Sequence, residues 1–278
     1  NFLEQMMQDE RRPLNVVTYI CSLKMCGSLG AETKGQEIHL EILKKGLEGE
    51  AYIGSTLVDM YAKCNYLIEA QEVFNGLLTR TIVAWNALIG GYAKQGQGKD
   101  ALDCFGLMLR ESVSPDAITF VFLLEACGRI RAINKGEQFH DQILSQGLLE
   151  ENFILGTALV DMYAKCGKLA KAQDVLEELP FRDVISWSVL ISGYAHHEQG
   201  QEAMNCFERM QLEGFSPDEV TFISILKVCG SMGAIGNVKH IHDEIIQRGF
   251  LETNVILGNA LVDMYVKSGM LIKARKVF

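Results

Sequence analysis

Ser55-Thr-Leu-Val-Asp-Met-Tyr-Ala-Lys63 decides the fold, because the chain writes it three times. It returns as Thr157-Ala-Leu-Val-Asp-Met-Tyr-Ala-Lys165 and as Asn259-Ala-Leu-Val-Asp-Met-Tyr-Val-Lys267, each copy 102 residues after the last. The same shift carries Trp85-Asn-Ala-Leu-Ile-Gly-Gly-Tyr-Ala93 onto Trp187-Ser-Val-Leu-Ile-Ser-Gly-Tyr-Ala195. A third element holds Cys26, Cys127 and Cys229, followed by His39, His140 and His242. Self-similarity at a fixed period marks a repeat architecture.

A period of 102 residues is too long for one supersecondary unit. It divides into three units of similar design, placed at 16–50, 51–81 and 82–116, then 117–152, 153–183 and 184–218, then 219–254 and 255–278. Residues 1–15 are expected to be the tail of an earlier unit. Within 82–116, Trp85, Leu88, Ile89 and Tyr92 recur at three- and four-residue spacing, which predicts a helix. Lys94-Gln-Gly-Gln-Gly98 predicts a turn, and Ala101, Leu102, Phe105 and Met108 a second helix. Ser114-Pro115-Asp116 ends the unit, since proline cannot continue a helix. Two helices cannot bury both apolar faces alone, so neighbouring units must stack. The expected fold is an all-α solenoid of helical hairpins, with a concave face lined by the first helix of each unit.

Composition agrees. The 278 residues are 48% apolar and 22% charged, which excludes a disordered chain. The longest apolar stretch, Ile118 to Leu124, is interrupted by Thr119 and is far shorter than the roughly 20 residues of a membrane span. No basic-then-apolar start suggests a signal peptide. Asn1 and Phe278 look like cuts in a longer chain. Phe2, Leu3, Met6 and Met7 at one end, and Val277-Phe278 at the other, predict exposed apolar ends and end-to-end self-association.

Units of 31, 35 and 36 residues in rotation resemble the pentatricopeptide-repeat family of plants, and within it the PLS subclass. The short S motif is seen in Leu159-Val-Asp-Met-Tyr-Ala-Lys-Cys-Gly167, the P motif in Val184-Ile-Ser-Trp-Ser188 with Ser216-Pro-Asp218, and the long L motif in Val220-Thr-Phe-Ile-Ser-Ile-Leu226 with His242. Tetratricopeptide repeats, at a constant 34 residues, do not accommodate the 31-residue units. The resemblance covers the chain as one right-handed superhelical solenoid: the end of a P repeat at 1–15, L at 16–50, S at 51–81, P at 82–116, L at 117–152, S at 153–183, P at 184–218, L at 219–254 and a truncated S at 255–278.

The resemblance implies sequence-specific binding of single-stranded RNA, one nucleotide per repeat, in chloroplasts or mitochondria. It assigns base reading to the fifth and last residues of a unit. The pairs are Ser55 with Thr81 (no clear base), Asn86 with Asp116 (U), Thr157 with Asp183 (G) and Ser188 with Asp218 (G). Asn259 suggests a pyrimidine, its partner lying past Phe278. The L pairs are Ile20 with Glu50, Val121 with Asn152, and Ile223 with Asn254. Their aliphatic members cannot hydrogen-bond a base edge. The strand expected is n-n-U-n-G-G-n-Y. The second residues Val83, Ile154, Ile185 and Ile256 would pack on base faces, with Tyr52 stacking in unit 51–81. Simple core is the competing role for the aliphatic residues, and turn or N-cap for Asp116 and Asp218. Because the pairs face a groove, exchanging Asn86 is expected to leave stability unchanged.

The net charge of −9 sits oddly with RNA binding, where phosphate neutralisation supplies much of the affinity. The thirteenth residue of several units is basic, however: Lys63, Lys94, Lys165 and Lys267, with Arg129 and His196 at the same place. These are expected to form a stripe contacting phosphates, Lys94 and Lys165 alike. Acids gather in second helices, for example Glu69, Asp100 and Glu202. Local rather than net charge is what a bound strand feels. The competing reading is a lysine settling at a helix C-terminus.

Seven of the eight cysteines are locked to the repeat and none forms Cys-x-x-Cys, so packing in the reduced state is expected, with no metal and no cofactor. PLS proteins often carry a C-terminal deaminase domain whose zinc needs His-x-Glu together with Cys-x-x-Cys. That combination is missing here, so this stretch is expected to bind and not to catalyse. The resemblance points to the specificity module of an organellar C-to-U editing factor, with editing-complex proteins as further partners. A helical scaffold for a protein ligand, or RNA stabilisation or processing without editing, are the alternatives.

Overall fold

The computed structural model describes residues 15–150, 152–233 and 235–277. The apolar ends at Phe2, Leu3, Met6, Met7 and Phe278 therefore lie outside the described residues, as does nearly all of 1–15. The described residues form 17 α-helices and no strand. They fall into two compact units that divide between Ile130 and Arg131, inside repeat 117–152.

The first unit holds α1 (Val16–Leu29), α2 (Glu32–Lys44), α3 (Ala51–Lys63), α4 (Leu67–Gly76), α5 (Ile82–Lys94), α6 (Gly98–Arg110) and α7 (Ala117–Ile130). The helices α1, α3, α5 and α7 stack in that order, and α2, α4 and α6 pair with the helix before them. The second unit holds α8 (Ile133–Ser145), α9 (Phe153–Lys165), α10 (Leu169–Glu178), α11 (Val184–His196), α12 (Gly200–Leu212), α13 (Glu219–Met232), α14 (Ile235–Gln247), α15 (Phe250–Thr253), α16 (Val255–Lys267) and α17 (Leu271–Val277). There α9, α11, α13 and α16 stack in order.

The two helix classes differ because their surroundings differ. In α5, Ala84, Trp85, Leu88 and Ile89 are all buried between the helices on either side, so apolar residues run nearly all round it. The outer helix α6 buries one stripe, Ala101, Cys104, Phe105 and Met108. Stacked first helices approach closely where side chains are small: a Cβ on Gly91 would stand 2.9 Å from that of Ala62, and one on Gly193 2.9 Å from that of Ala164.

Most first helices are started by the residue before them, α3 behind Glu50 being an exception. Thr81 accepts from the Ala84 amide, Asp116 from Thr119, Asn152 from Leu155, Asp183 from Ser186, Asp218 from Thr221 and Asn254 from Leu257. Such side-chain caps satisfy amides that the helix itself cannot. The last residue of each of these repeats is thus the N-cap of the next repeat.

Candidate nucleic-acid interface

On an α-helix the second, ninth and thirteenth residues fall within about 20° of one azimuth, and the fifth about 60° away. Every first helix therefore presents these positions along one stripe. The second and thirteenth residues are exposed on it in every first helix, whereas the fifth residues Ser55, Asn86 and Ser188 are buried at its edge.

The second residues are the clearest case. Tyr52, Val83, Ile154, Ile185 and Ile256 are 53–77% exposed, so none is core. Val17, Ile118 and Val220 hold the same place in the 35- and 36-residue L units and are equally exposed. Sequence reasoning passed over these three because the fifth residue of those units is aliphatic, although position alone would have found them. In each unit four large apolar side chains stand in water, one per repeat, and offer faces that bases could cover.

The first unit holds a groove of about 290 Å³ lined by Val83, Asn86, Lys94, Asp116 and Ile118. Asn86 is only 7% exposed. Its Nδ2 donates to Asp116 Oδ1 at 3.0 Å. Its Oδ1 accepts from the Thr119 hydroxyl at 2.7 Å. The buried Thr119 stands 2.9 Å from Asp116 Oδ1 as well, and its single proton serves one acceptor at a time. A carboxylate only accepts, so Asp116 fixes which end of the amide faces it. One N–H of Asn86 is left over, aimed from an anchored amide.

The second unit repeats the arrangement in a groove of about 660 Å³ lined by Ile185, Ser188, His196, Asp218, Val220 and Lys227. Ser188 Oγ lies 2.7 Å from the Val184 carbonyl, 3.1 Å from Asp218 Oδ1 and 2.5 Å from Thr221 Oγ1. Thr221 in turn donates to Asp218 at 2.7 Å. Ser55 meets Thr81 at 2.8 Å and also donates to the Ala51 carbonyl. Three fifth–last pairs are therefore joined directly.

Thr157 and Asp183 are not joined. The Thr157 hydroxyl donates to the Phe153 carbonyl at 3.3 Å, and Asp183 forms a capping box with Ser186. Asn259 stands exposed on α16. Asp116 and Asp218 perform the N-cap role and the pairing role together, so the two readings of these residues do not exclude each other.

The basic stripe is less uniform than its sequence. Lys63 pairs with Asp59 at 2.7 Å, Lys165 with Asp161 at 2.5 Å, Lys267 with Asp263 at 2.6 Å and Arg129 with Glu125 at 3.0 Å. Lys94 has no carboxylate partner among the described residues, and its ammonium lies 5.6 Å from the Phe122 ring centre. Arginines take two of the acids in or next to the outer helices. Glu177 takes the Arg209 guanidinium, which holds its carboxyl below the usual range, and Glu111 takes Arg80.

Three histidines and the buried cysteines serve packing. His39, His140 and His242 meet Tyr61, Tyr163 and Tyr265 of the following repeat through Nδ1 at 2.9, 2.9 and 2.5 Å. Burial pushes the Cys104 thiol up to about 12 and those of Cys206 and Cys229 up to about 11. His-x-Glu triplets do occur, at His39, His196 and His242, but no three metal-binding side chains converge among the described residues. No helix among them is long and apolar enough to cross a membrane.

The model of the PPR repeat family matches residues 80–129 and 182–231, and that of the PPR repeat matches 55–82, 157–184 and 259–278. A chloroplastic pentatricopeptide repeat-containing protein of Arabidopsis thaliana is 35% identical over 260 residues, covering 93% of this chain and 42% of its own length. The chloroplastic pentatricopeptide repeat-containing protein CRR2 of the same plant is 36% identical over 266 residues, covering 94% of this chain and 40% of its own. The chain thus spans about two fifths of these relatives. Among solved structures, the pentatricopeptide repeat protein PPR10 in complex with an 18-nt psaJ RNA element superposes with a TM-score of 0.79 at 19% identity, over 99% of this chain and 41% of that one. The likeness extends to the stacked helical-repeat fold.

Proposed function

Since the chain belongs to the pentatricopeptide-repeat family, we propose that its first-helix stripes bind single-stranded RNA, one base to each repeat. The observation that carries this reading is the Asn86–Asp116–Thr119 cluster. It is a polar amide anchored on two sides, set in a groove between two exposed aliphatic side chains, Val83 and Ile118. Single-stranded RNA is recognised in this manner, by packing on unstacked base faces and hydrogen bonds to their edges. PPR10, of like fold, is a protein solved with RNA in place.

The finer reading is a PLS-type specificity module for organellar C-to-U editing. Its support is the rotation of 31-, 35- and 36-residue units and the chloroplastic and mitochondrial relatives. On this reading the stretch selects a site in a chloroplast or mitochondrial transcript, and the deamination is supplied by a further domain or an editing-complex protein. Equilibrium binding to n-n-U-n-G-G-n-Y and its single-base variants tests the reading. Replacing the U should weaken binding by about 1–3 kcal/mol, the worth of a well-placed base contact. Equal affinity for every variant would count against base reading and leave the groove to another ligand.

A further inference from the structure

We propose that the phosphodiester backbone is held by lone lysines, Lys24, Lys94 and Lys227, and that the lysines of the 31-residue units are electrically silent toward it. This rests on the RNA-binding reading and says which charges serve it. Positions nine and thirteen of each first helix point along the same stripe as the apolar second residue. In seven of the eight first helices their occupants come in two kinds, α11 carrying Ser192 and His196 instead. In α3, α7, α9 and α16 an acid at the ninth position closes on a base at the thirteenth, as in Asp59–Lys63 and Asp161–Lys165. In α1, α5 and α13 a base stands with a small neutral residue: Lys24 with Ser28, Gly90 with Lys94, Lys227 with Ser231. None of these three lysines has a carboxylate within ion-pair distance among the described residues. Lys94 and Lys227 line the grooves that hold Asn86–Asp116 and Ser188–Asp218, where the paired Lys63 and Lys165 stand as well, so it is the pairing and not the place that separates them.

A closed pair presents a dipole, whose field fades within a few ångströms, while a lone ammonium presents a full charge. The acid sits four residues before the base, the favoured order for such a pair on a helix. A phosphate that drew the lysine away would still face the aspartate left behind. Lys24 and Lys227 hold the ninth position, so on this proposal the phosphate contacts fall on both positions and pass over Lys63, Lys165 and Lys267.

The salt dependence of binding to a single-stranded oligonucleotide of the proposed sequence decides the matter. Lys94→Ala and Lys227→Ala should each lower the log–log slope by about 0.7, the value of one phosphate contact on a single strand. Lys63→Ala and Lys165→Ala should leave it unchanged. Asp161→Asn, which frees Lys165 without removing it, should raise the slope by the same amount and tighten binding. The proposal is overturned if Lys165→Ala lowers the slope as Lys94→Ala does, or if Asp161→Asn changes neither slope nor affinity. A wild-type protein that binds no RNA at any salt would overturn the functional reading itself, a result distinct from either of these.

Discussion

At the scale of residues, base reading turns on Asn86. Its placement in the fifth position and its pairing with Asp116 were legible in the sequence. Its burial was not, because the cover comes from Thr119 in the next repeat. A signal was present all the same: threonine recurs as Thr18, Thr119 and Thr221, the third residue of each long unit. Burial corrects the expectation that exchanging Asn86 leaves stability untouched, since its hydrogen bonds are made inside the protein. Replacing Thr119 by Val keeps the shape and removes the hydroxyl. This should cost about 1–3 kcal/mol in chemical denaturation, the penalty for a buried acceptor left without its donor. It should also blunt discrimination at the base read by Asn86. Unchanged stability and selectivity would show that Asp116 alone orients the amide.

At the scale of elements, the turn between the two helices of a repeat has one geometric demand. Its fifteenth residue is left-handed in all eight repeats: Gly30, Asn65, Gly96, Arg131, Gly167, Glu198, Gly233 and Gly269 have φ between 55° and 77°. Glycine and asparagine there were readable as turn signals, whereas Arg131 and Glu198 carry no such mark and are held by the repeat around them. A side chain pays about 1–2 kcal/mol in this region, and glycine returns part of that through unfolded-chain entropy. Glu198→Gly, at an exposed position, should therefore stabilise the protein by about 0.5–1 kcal/mol in thermal or denaturant unfolding. The His–Tyr bonds between consecutive repeats add a pH dependence. Burial holds His39, His140 and His242 below the ordinary histidine value. The unfolded chain thus takes up protons first as the pH falls. Stability is full above about pH 6.5 and is lost on acidification through the lower folded values. Denaturation midpoints followed across that range should fall on the acid side, and the fall should be shallower with His140→Gln.

At the scale of the whole molecule, period and unit lengths were legible because a repeat must present the same buried face each time. Charge pairing was not legible, because a ninth-position aspartate and a thirteenth-position lysine read separately as acid and base until the helix brings them within 2.7 Å or less in α3, α9 and α16. The central claim is that repeats read bases one at a time, through a pair that can be exchanged. Selection from a randomised single-stranded RNA pool, run with the wild-type chain and with Asn86→Thr, tests it most directly. That exchange makes the pair match Thr157 with Asp183. The preferred base should move from U toward G at one position, with every neighbouring preference unchanged. Equal loss of binding to U and G at that position, or a shift spread across the whole site, would contradict it.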